Sequence, residues 1–169
     1  MLFRSVLMER LDQGALTLTP EVAVVIVAQL GQEIVRFRRR FEAHGSIGGH
    51  AVALGLDGAV ALVPPLPKAP PDEVYMSPER RLGLPKSHPD DAFSFASLGI
   101  ELLRRCGAEA STWGPLTPLL QTDPRRRSLD IERASSELRV CGERGGLDAT
   151  ARHVARPVRL LAAEREKPL

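Results

Sequence analysis

A mostly helical α+β domain is the fold class that three features of this sequence predict. Two long stretches, residues 20–41 and 90–105, carry apolar side chains at helical spacing. Between them, two short apolar runs at residues 51–54 and 59–63 flank Gly55-Leu56-Asp57-Gly58. An Asp-Gly pair in that setting is among the strongest short-range hairpin signals. Pro64, Pro65, Pro67, Pro70 and Pro71 then fall within eight positions and stiffen the segment that leads to the second helical half.

Length and composition bound the rest. A chain of 169 residues can bury one good core and carry a short appendage. Its apolar share of 43% and charged share of 26% are ordinary for a globular domain. A net charge of +2 is too small for nucleic-acid binding to be read from charge alone. Lys occurs only at Lys68, Lys86 and Lys167, an Arg bias that reads as genomic composition first. Aromatic residues make up 4%, so aliphatic side chains must fill the core. Cys106 and Cys141 form no CxxC pair, which gives no support to a disulfide framework or a cysteine zinc site and points to a reduced, cytoplasmic protein. The opening MLFRSVLMER is interrupted by Arg4 and Glu9 and lacks a signal-peptide core. The apolar run at residues 22–28 is stopped by Gln29 and Glu33, well short of a membrane span.

In chain order, residues 2–8 read as a strand and Asp12-Gln13-Gly14 as a turn. Thr19-Pro20-Glu21 is a helix start, with Thr19 as N-cap and Pro20 at the first helical position. Val22, Val25, Ile26, Leu30, Ile34, Phe37 and Phe41 recur at helical spacing, and Val24 and Val27 widen the stripe until the first half is buried all round. Arg36, Arg38, Arg39 and Arg40 close this helix, where the macrodipole favours cations, as a solvated end. Phosphate binding there is the sharper alternative, without base-stacking aromatics to support it. The proline segment reads as a stiffened surface loop, with a PPII ligand as the alternative.

Residues 90–105 predict a central buried helix, with Phe93, Phe95, Leu98, Ile100, Leu102 and Leu103 nearly encircling it. Arg104, Arg105 and Gly107 end it. A loop holding Trp113 follows at residues 108–114, then a short helical candidate at 116–121 broken by Thr122-Asp123-Pro124. Residues 128–140 predict an amphipathic helix with Leu129, Ile131, Ala134 and Leu138 toward the core. Gly142, Gly145 and Gly146 read as a hinge, giving a domain at 1–141 and a C-terminal helical tail at 142–169, capped by Asp148 and interrupted at Pro157.

Candidate chemistry is sparse. His44, Ser46 and His50 lie close together, which raises a hydrolase or a metal site, but GSIGG is not a nucleophile elbow and two loop histidines fall short of a zinc set. A packed His44 and an exposed loop His50 are the plainer account. Asp90 and Asp91 are adjacent on a helix and face different directions, which argues against an acid/base pair. His88 and His153 stand alone, and Cys106 and Cys141 read as small apolar fillers.

Four stretches taken in register resemble the large, C-terminal lobe of bacterial protein kinases of the eukaryotic Ser/Thr type. HGSIGGHAV stands in the place of H-R-D-L-x-x-x-N, and YMSPE in the place of A-P-E. DDAFSFASLGIELL resembles the family's central helix, and DPRRRS the motif before the last helix of the lobe. VLMERLDQGAL is similar to the linker strand between the lobes. The resemblance covers residues 2–140. It implies a structural set: His44 packed beneath the catalytic loop, Asp91 accepting hydrogen bonds from the loop backbone, and Glu79 paired with Arg127.

The same resemblance implies that the chemistry is gone. Ser46 stands where the proton-accepting Asp belongs, Ala51 where the magnesium-ligating Asn belongs, and Pro64-Pro65-Leu66 replaces Asp-Phe-Gly. Gly48 replaces the Lys that faces the transferred phosphoryl group. Because the chain opens at the linker strand, the whole small lobe is expected to be absent, with its glycine-rich loop, strand lysine and partner glutamate.

The expectation is a pseudokinase without cofactor, metal or ATP, acting in bacterial signalling as a regulatory, adaptor or inhibitory module that binds another protein or itself. The ground that a small lobe would cover supplies the interface candidates Val6, Met8, Pro65 and Pro67. Two readings compete: a residual hydrolase or nucleotide-dependent transferase in the same cleft, and nucleic-acid binding through Arg36 to Arg40 and Arg125 to Arg127. Neither nucleic acid nor membrane is the expected partner.

Overall fold

The computed structural model describes residues 2–3, 17–55, 57–65 and 72–144. Within them the chain is mostly helical with one small antiparallel sheet, an α+β arrangement. Helix α1 (Pro20–Arg38) begins where the sequence placed it: the Thr19 hydroxyl accepts from the Val22 amide at 3.4 Å and Pro20 occupies the first turn. Residues 22–28 are all buried, so this half of α1 is enclosed on every side.

Strand β1 (Leu2–Phe3) pairs antiparallel with β2 (Val52–Gly55), with Leu2 opposite Gly55 and Phe3 opposite Leu54. The rest of the strand expected over residues 2–8 lies outside the described residues, as do the turn at Asp12, the loop prolines Pro67, Pro70 and Pro71, and the tail beyond Arg144. Strand β2 pairs in turn with β3 (Val60–Leu62) through Val52 and Leu62, Ala53 and Ala61, and Leu54 and Val60. The predicted hairpin is therefore present. Its turn is closed by Gly58 at φ +84° and by the Asp57 carboxylate, which accepts from the Ala59 amide at 3.1 Å.

A short 3₁₀ turn (Glu73–Tyr75) and the one-turn helix α2 (Pro78–Arg81) lead into α3 (His88–Arg105), the central helix. Helix α3 starts two residues ahead of the predicted position because Ser87 caps it, accepting from the Asp90 amide at 3.4 Å, and Pro89 fits the first turn. Phe95, Leu98, Leu102 and Leu103 are buried, whereas Phe93 and Ile100 are only half-buried, so the helix is less encircled than its composition predicts.

Three local expectations fail. Residues 110–120 form one 3₁₀ run (Ala110–Leu120) that takes in Trp113, rather than a loop followed by an α-helix. Pro115 and Pro118 lie inside it and remove the donors an α-helix would need. The last described helix, α4 (Ile131–Arg144), begins after residue 128 because Asp130 is the cap, its carboxylate accepting from the Arg133 amide at 2.8 Å. Leu129 thus precedes the helix and is exposed, not turned to the core. Gly142 is a buried helical residue packed against Val24 rather than a hinge, and α4 runs past the boundary expected at residue 141.

Helices α1 and α4 pack closely at Gly31, where an added Cβ would stand 1.9 Å from the Ser135 hydroxyl oxygen and 2.9 Å from the Phe95 ring. Ser135 tolerates burial by donating to the Ile131 carbonyl at 2.7 Å. Among the described residues no helix is long and apolar enough to cross a membrane.

Candidate functional site

The site is the loop from Ala43 to Ala51, suspended between α1 and β2 over the N-terminal end of α3. Two side chains, Asp91 and His44, suspend it. The buried Asp91 carboxylate accepts from the His44 amide and from the Gly45 amide, each at 2.8 Å. A carboxylate receiving two backbone donors gives charge-assisted bonds in a dry setting, roughly twice the strength of neutral ones. Asp90, its neighbour, turns the other way: it accepts from the buried Ser77 hydroxyl at 2.7 Å and lies 3.4 Å from Arg80 Nε. Burial pushes the Asp90 carboxyl above its ordinary value, partly offset by the Ser77 hydrogen bond. The two aspartates do face apart, one holding the loop and the other holding α2.

His44 is buried, and both its ring nitrogens are engaged. Nε2 lies 2.8 Å from the Val63 carbonyl, the residue before Pro64, and Nδ1 lies 3.3 Å from the Ser46 amide. A carbonyl can only accept and an amide can only donate, so the network assigns the neutral ring with its proton on Nε2. One imidazole thereby ties the start of the loop to the exit of the hairpin. Burial holds the His44 pKa below its ordinary value, more strongly than the Val63 hydrogen bond raises it.

The consequence for stability has a definite sign. A histidine whose folded pKa lies below its unfolded value of about 6.5 contributes fully above that pH, and the contribution is lost as pH falls through the folded value. The melting temperature of the wild type is therefore expected to drop between about pH 7 and about pH 5 more steeply than that of His44→Gln, which cannot take up the proton. Parallel melting curves against pH for the two proteins would remove His44 as the titrating group.

The positions expected to have lost their chemistry are arranged as follows. Ser46 is half-buried, and its hydroxyl oxygen lies 3.2 Å from Nε2 of the exposed His50. Ala51 is buried at the end of a 3₁₀ turn (Gly49–Ala51) and sends its carbonyl to the Val63 amide at 2.8 Å. Pro64 and Pro65 are exposed at the hairpin exit. At Gly48 an added Cβ would stand 2.7 Å from the Asp72 Cβ, so Asp72 fills the room a lysine stem would need. Among the described residues no three His, Cys, Asp or Glu side chains gather where they could hold a metal ion.

Glu79 and Arg127 form the pair expected of them. Both Glu79 oxygens receive the guanidinium, Nη1 on Oε1 and Nη2 on Oε2, the latter at 3.1 Å. The remaining donors go to main-chain carbonyls: Nε to Gln121 at 2.8 Å, Nη1 to Pro89 at 2.9 Å and Nη2 to Thr122 at 3.3 Å. Arg127 also lies over the Phe93 ring, 4.9 Å from its centroid. Burial alone would raise the Glu79 carboxyl, but the Arg127 hydrogen bonds prevail and hold it below its ordinary value.

One expectation at α1 needs correction. Arg38 is not part of a solvated helix end: it is half-buried, donates to the His88 carbonyl at 2.5 Å and to the Leu129 carbonyl at 3.5 Å, and lies 4.0 Å from Asp91. Arg36, Arg39 and Arg40 are exposed as expected. Among the interface candidates, Val6, Met8 and Pro67 lie outside the described residues, and Pro65 is exposed. Cys106 is half-buried, with its thiol pushed up to about 11 by burial, consistent with a filler.

Sequence reasoning missed Ser77 and the Phe37–Phe41–His44 ring stack. Ser77 precedes Pro78, the signature of an N-cap that could have marked it. The ring stack has no local signal, because His44 is brought back to Phe37 by the loop. No protein-family model matches the chain, and no curated protein matches its sequence.

Proposed function

We propose that this chain is a pseudokinase, a kinase-like large lobe that has kept its scaffold, lost its chemistry and acts in bacterial signalling by binding another protein as a regulator, adaptor or inhibitor. One observation carries the reading. The loop at residues 44–51 is held by Asp91 and His44 as an active-site loop would be, while Ser46, Ala51 and Pro64 stand at the positions that the resemblance assigns to the base and the metal ligands. Phosphoryl transfer depends on positioning and on charge neutralisation. On this reading Asp91 and His44 supply the positioning, and a hydroxyl, a methyl and a proline ring supply neither a carboxylate base nor a metal ligand. Asp72 beside Gly48 supports the same reading, since it puts a carboxylate where a cation would face the phosphate.

The buried Glu79–Arg127 pair and the Asp91 anchor support the large-lobe fold, because each joins parts of the chain that the resemblance, and no local pattern, brings together. Ser46 and His50 favour a second reading, a residual hydrolase, by their 3.2 Å approach. It is the weaker one, for among the described residues no further group orients His50.

Thermal melting with ATP and magnesium tests the main reading. A ligand at a hundred times its Kd stabilises by about 2.7 kcal/mol. The expected result is no saturable rise in melting temperature, and a saturable rise would overturn the claim that no nucleotide binds. A pull-down from the native host, with light scattering of the product, tests the interaction role. A monodisperse chain that recovers nothing would count against it.

A further inference from the structure

We infer that the groove between the C-terminal end of α1 and the exit of the hairpin is a docking site for an acidic segment of a partner protein that carries an apolar or aromatic anchor. This rests on the interaction-module reading and names the surface and the partner chemistry for it. The groove is open, encloses about 1120 Å³ and has Phe37, Phe41, Pro64 and Pro65 among its apolar lining.

Phe41 is 60% exposed, an unusual position for a phenyl ring, yet it is held in place. Its ring lies 4.9 Å from that of Phe37, and Phe37 meets the buried His44 edge-on at 5.2 Å. An aromatic surface fixed by stacking receives a partner's apolar side chain with little loss of side-chain freedom.

The rim decides the charge of the occupant. Arg36, Arg39, Arg40 and Lys86 line the groove against two carboxylates, Glu33 and Glu42. Arg36 is occupied by Glu33 at 2.5 Å and Arg39 reaches Glu132 at 3.8 Å. Arg40 and Lys86 have no ion-pair partner among the described residues, although both are exposed. The chain's own remaining segments do not complement this rim. Residues 66–71 contain Lys68 and no acid, and residues 4–16 set Glu9 and Asp12 against Arg4 and Arg10. Residues 145–169 bring Arg152, Arg156, Arg159, Arg165 and Lys167 against Asp148, Glu164 and Glu166. None of these segments carries a net negative charge, so the complementary charge is assigned to a partner. Glu42, beside these two cations, would repel a continuous polyanion such as a nucleic-acid backbone, whereas a peptide can space its carboxylates to meet Arg40 and Lys86 alone.

Fluorescence anisotropy of the full chain tests the site, with a labelled Asp-Asp-Glu-Trp-Asp-Glu-Leu-Asp peptide as probe. The same peptide with Lys at every acidic position and a short oligothymidine serve as competitors for the assignment. Saturable binding of the acidic peptide is expected, weakened by about tenfold or more in Phe41→Ala and in the double variant Arg40→Glu, Lys86→Glu. Arg125→Glu, an exposed cation elsewhere, should leave the affinity unchanged. Melting temperatures of all variants establish that each is folded. Equal binding of the two peptides, tighter binding of oligothymidine, or unchanged affinity in folded groove variants would overturn the proposal. So would self-association abolished by Phe41→Ala, which would give the groove to a second copy. If a partner recovered from the host is retained equally by the groove variants, the groove assignment falls while the interaction role stands.

Discussion

Arg127→Ala is expected to unfold the protein at a markedly lower temperature, because its buried guanidinium joins Glu79 and the Pro89 carbonyl, 48 and 38 residues away, to two nearer carbonyls. The guanidinium directs all five of its N–H donors to protein oxygens: two to Glu79, and one each to the carbonyls of Gln121, Thr122 and Pro89. Its side chain is 0% exposed and that of Glu79 is 10% exposed. Removing one partner of such a pair leaves the other charge buried, at a typical cost of about 3–5 kcal/mol. For a chain of this size that corresponds to a fall of roughly 6–20 °C in melting temperature. Glu79→Ala should approach the same loss, since it strands the guanidinium instead. Arg127→Lys should recover only part of it, for an ammonium cannot reproduce the planar fork. Calorimetry of the three variants checks the order, and a melting temperature within about 2 °C of wild type for Arg127→Ala would sink the assignment.

Asp91→Ala should act on the loop as well as on the fold. Two amides, His44 and Gly45, would be left without their acceptor beneath a buried segment, each at a cost of about 1–3 kcal/mol. The expected loss of roughly 2–6 kcal/mol is accompanied by a local signature that Arg127→Ala lacks. Hydrogen exchange at residues 44 and 45 should quicken more than exchange in α1, since their amides donate to this carboxylate. Asp91→Asn offers a single acceptor oxygen and should fall between the two. Exchange that quickens uniformly in Asp91→Ala would show a global loss of stability with no special hold on the loop.

The two predictions rest on residues that the sequence indicated in different ways. Glu79, Asp91, Arg127 and His44 could be named because motifs in register suggested their roles, although 48 positions separate Glu79 from Arg127 and 47 separate His44 from Asp91. No period or propensity links such pairs. The exposure of Phe41 and the lack of an ion pair at Lys86, by contrast, have no sequence signal. Phe41 sits in helical register with Phe37 and its spacing predicts a place in the apolar stripe, but α1 ends at Arg38 and the chain turns away from the core before Phe41. The sequence groups Arg38 with its solvated neighbours, yet of the four it alone is drawn in, because α3 and residue 129 present carbonyls beside it.

What the sequence determined by itself is the local framework. Thr19 and Pro20 start α1, Ser87 and Pro89 start α3, and Asp57 with Gly58 turns the hairpin, since caps and turns are satisfied by atoms within a few residues. The same locality explains the shifted elements: Asp130 caps α4 and delays its start beyond residue 128, and two prolines turn an expected helix into a 3₁₀ run. Only the tertiary structure decided which charged groups are buried and with whom. Whether Arg38 is wet or dry, which way Asp90 and Asp91 point, and which cations at the end of α1 lack a partner depend on atoms brought from dozens of residues away. The energy of a charge is set by that surrounding, not by its neighbours in sequence.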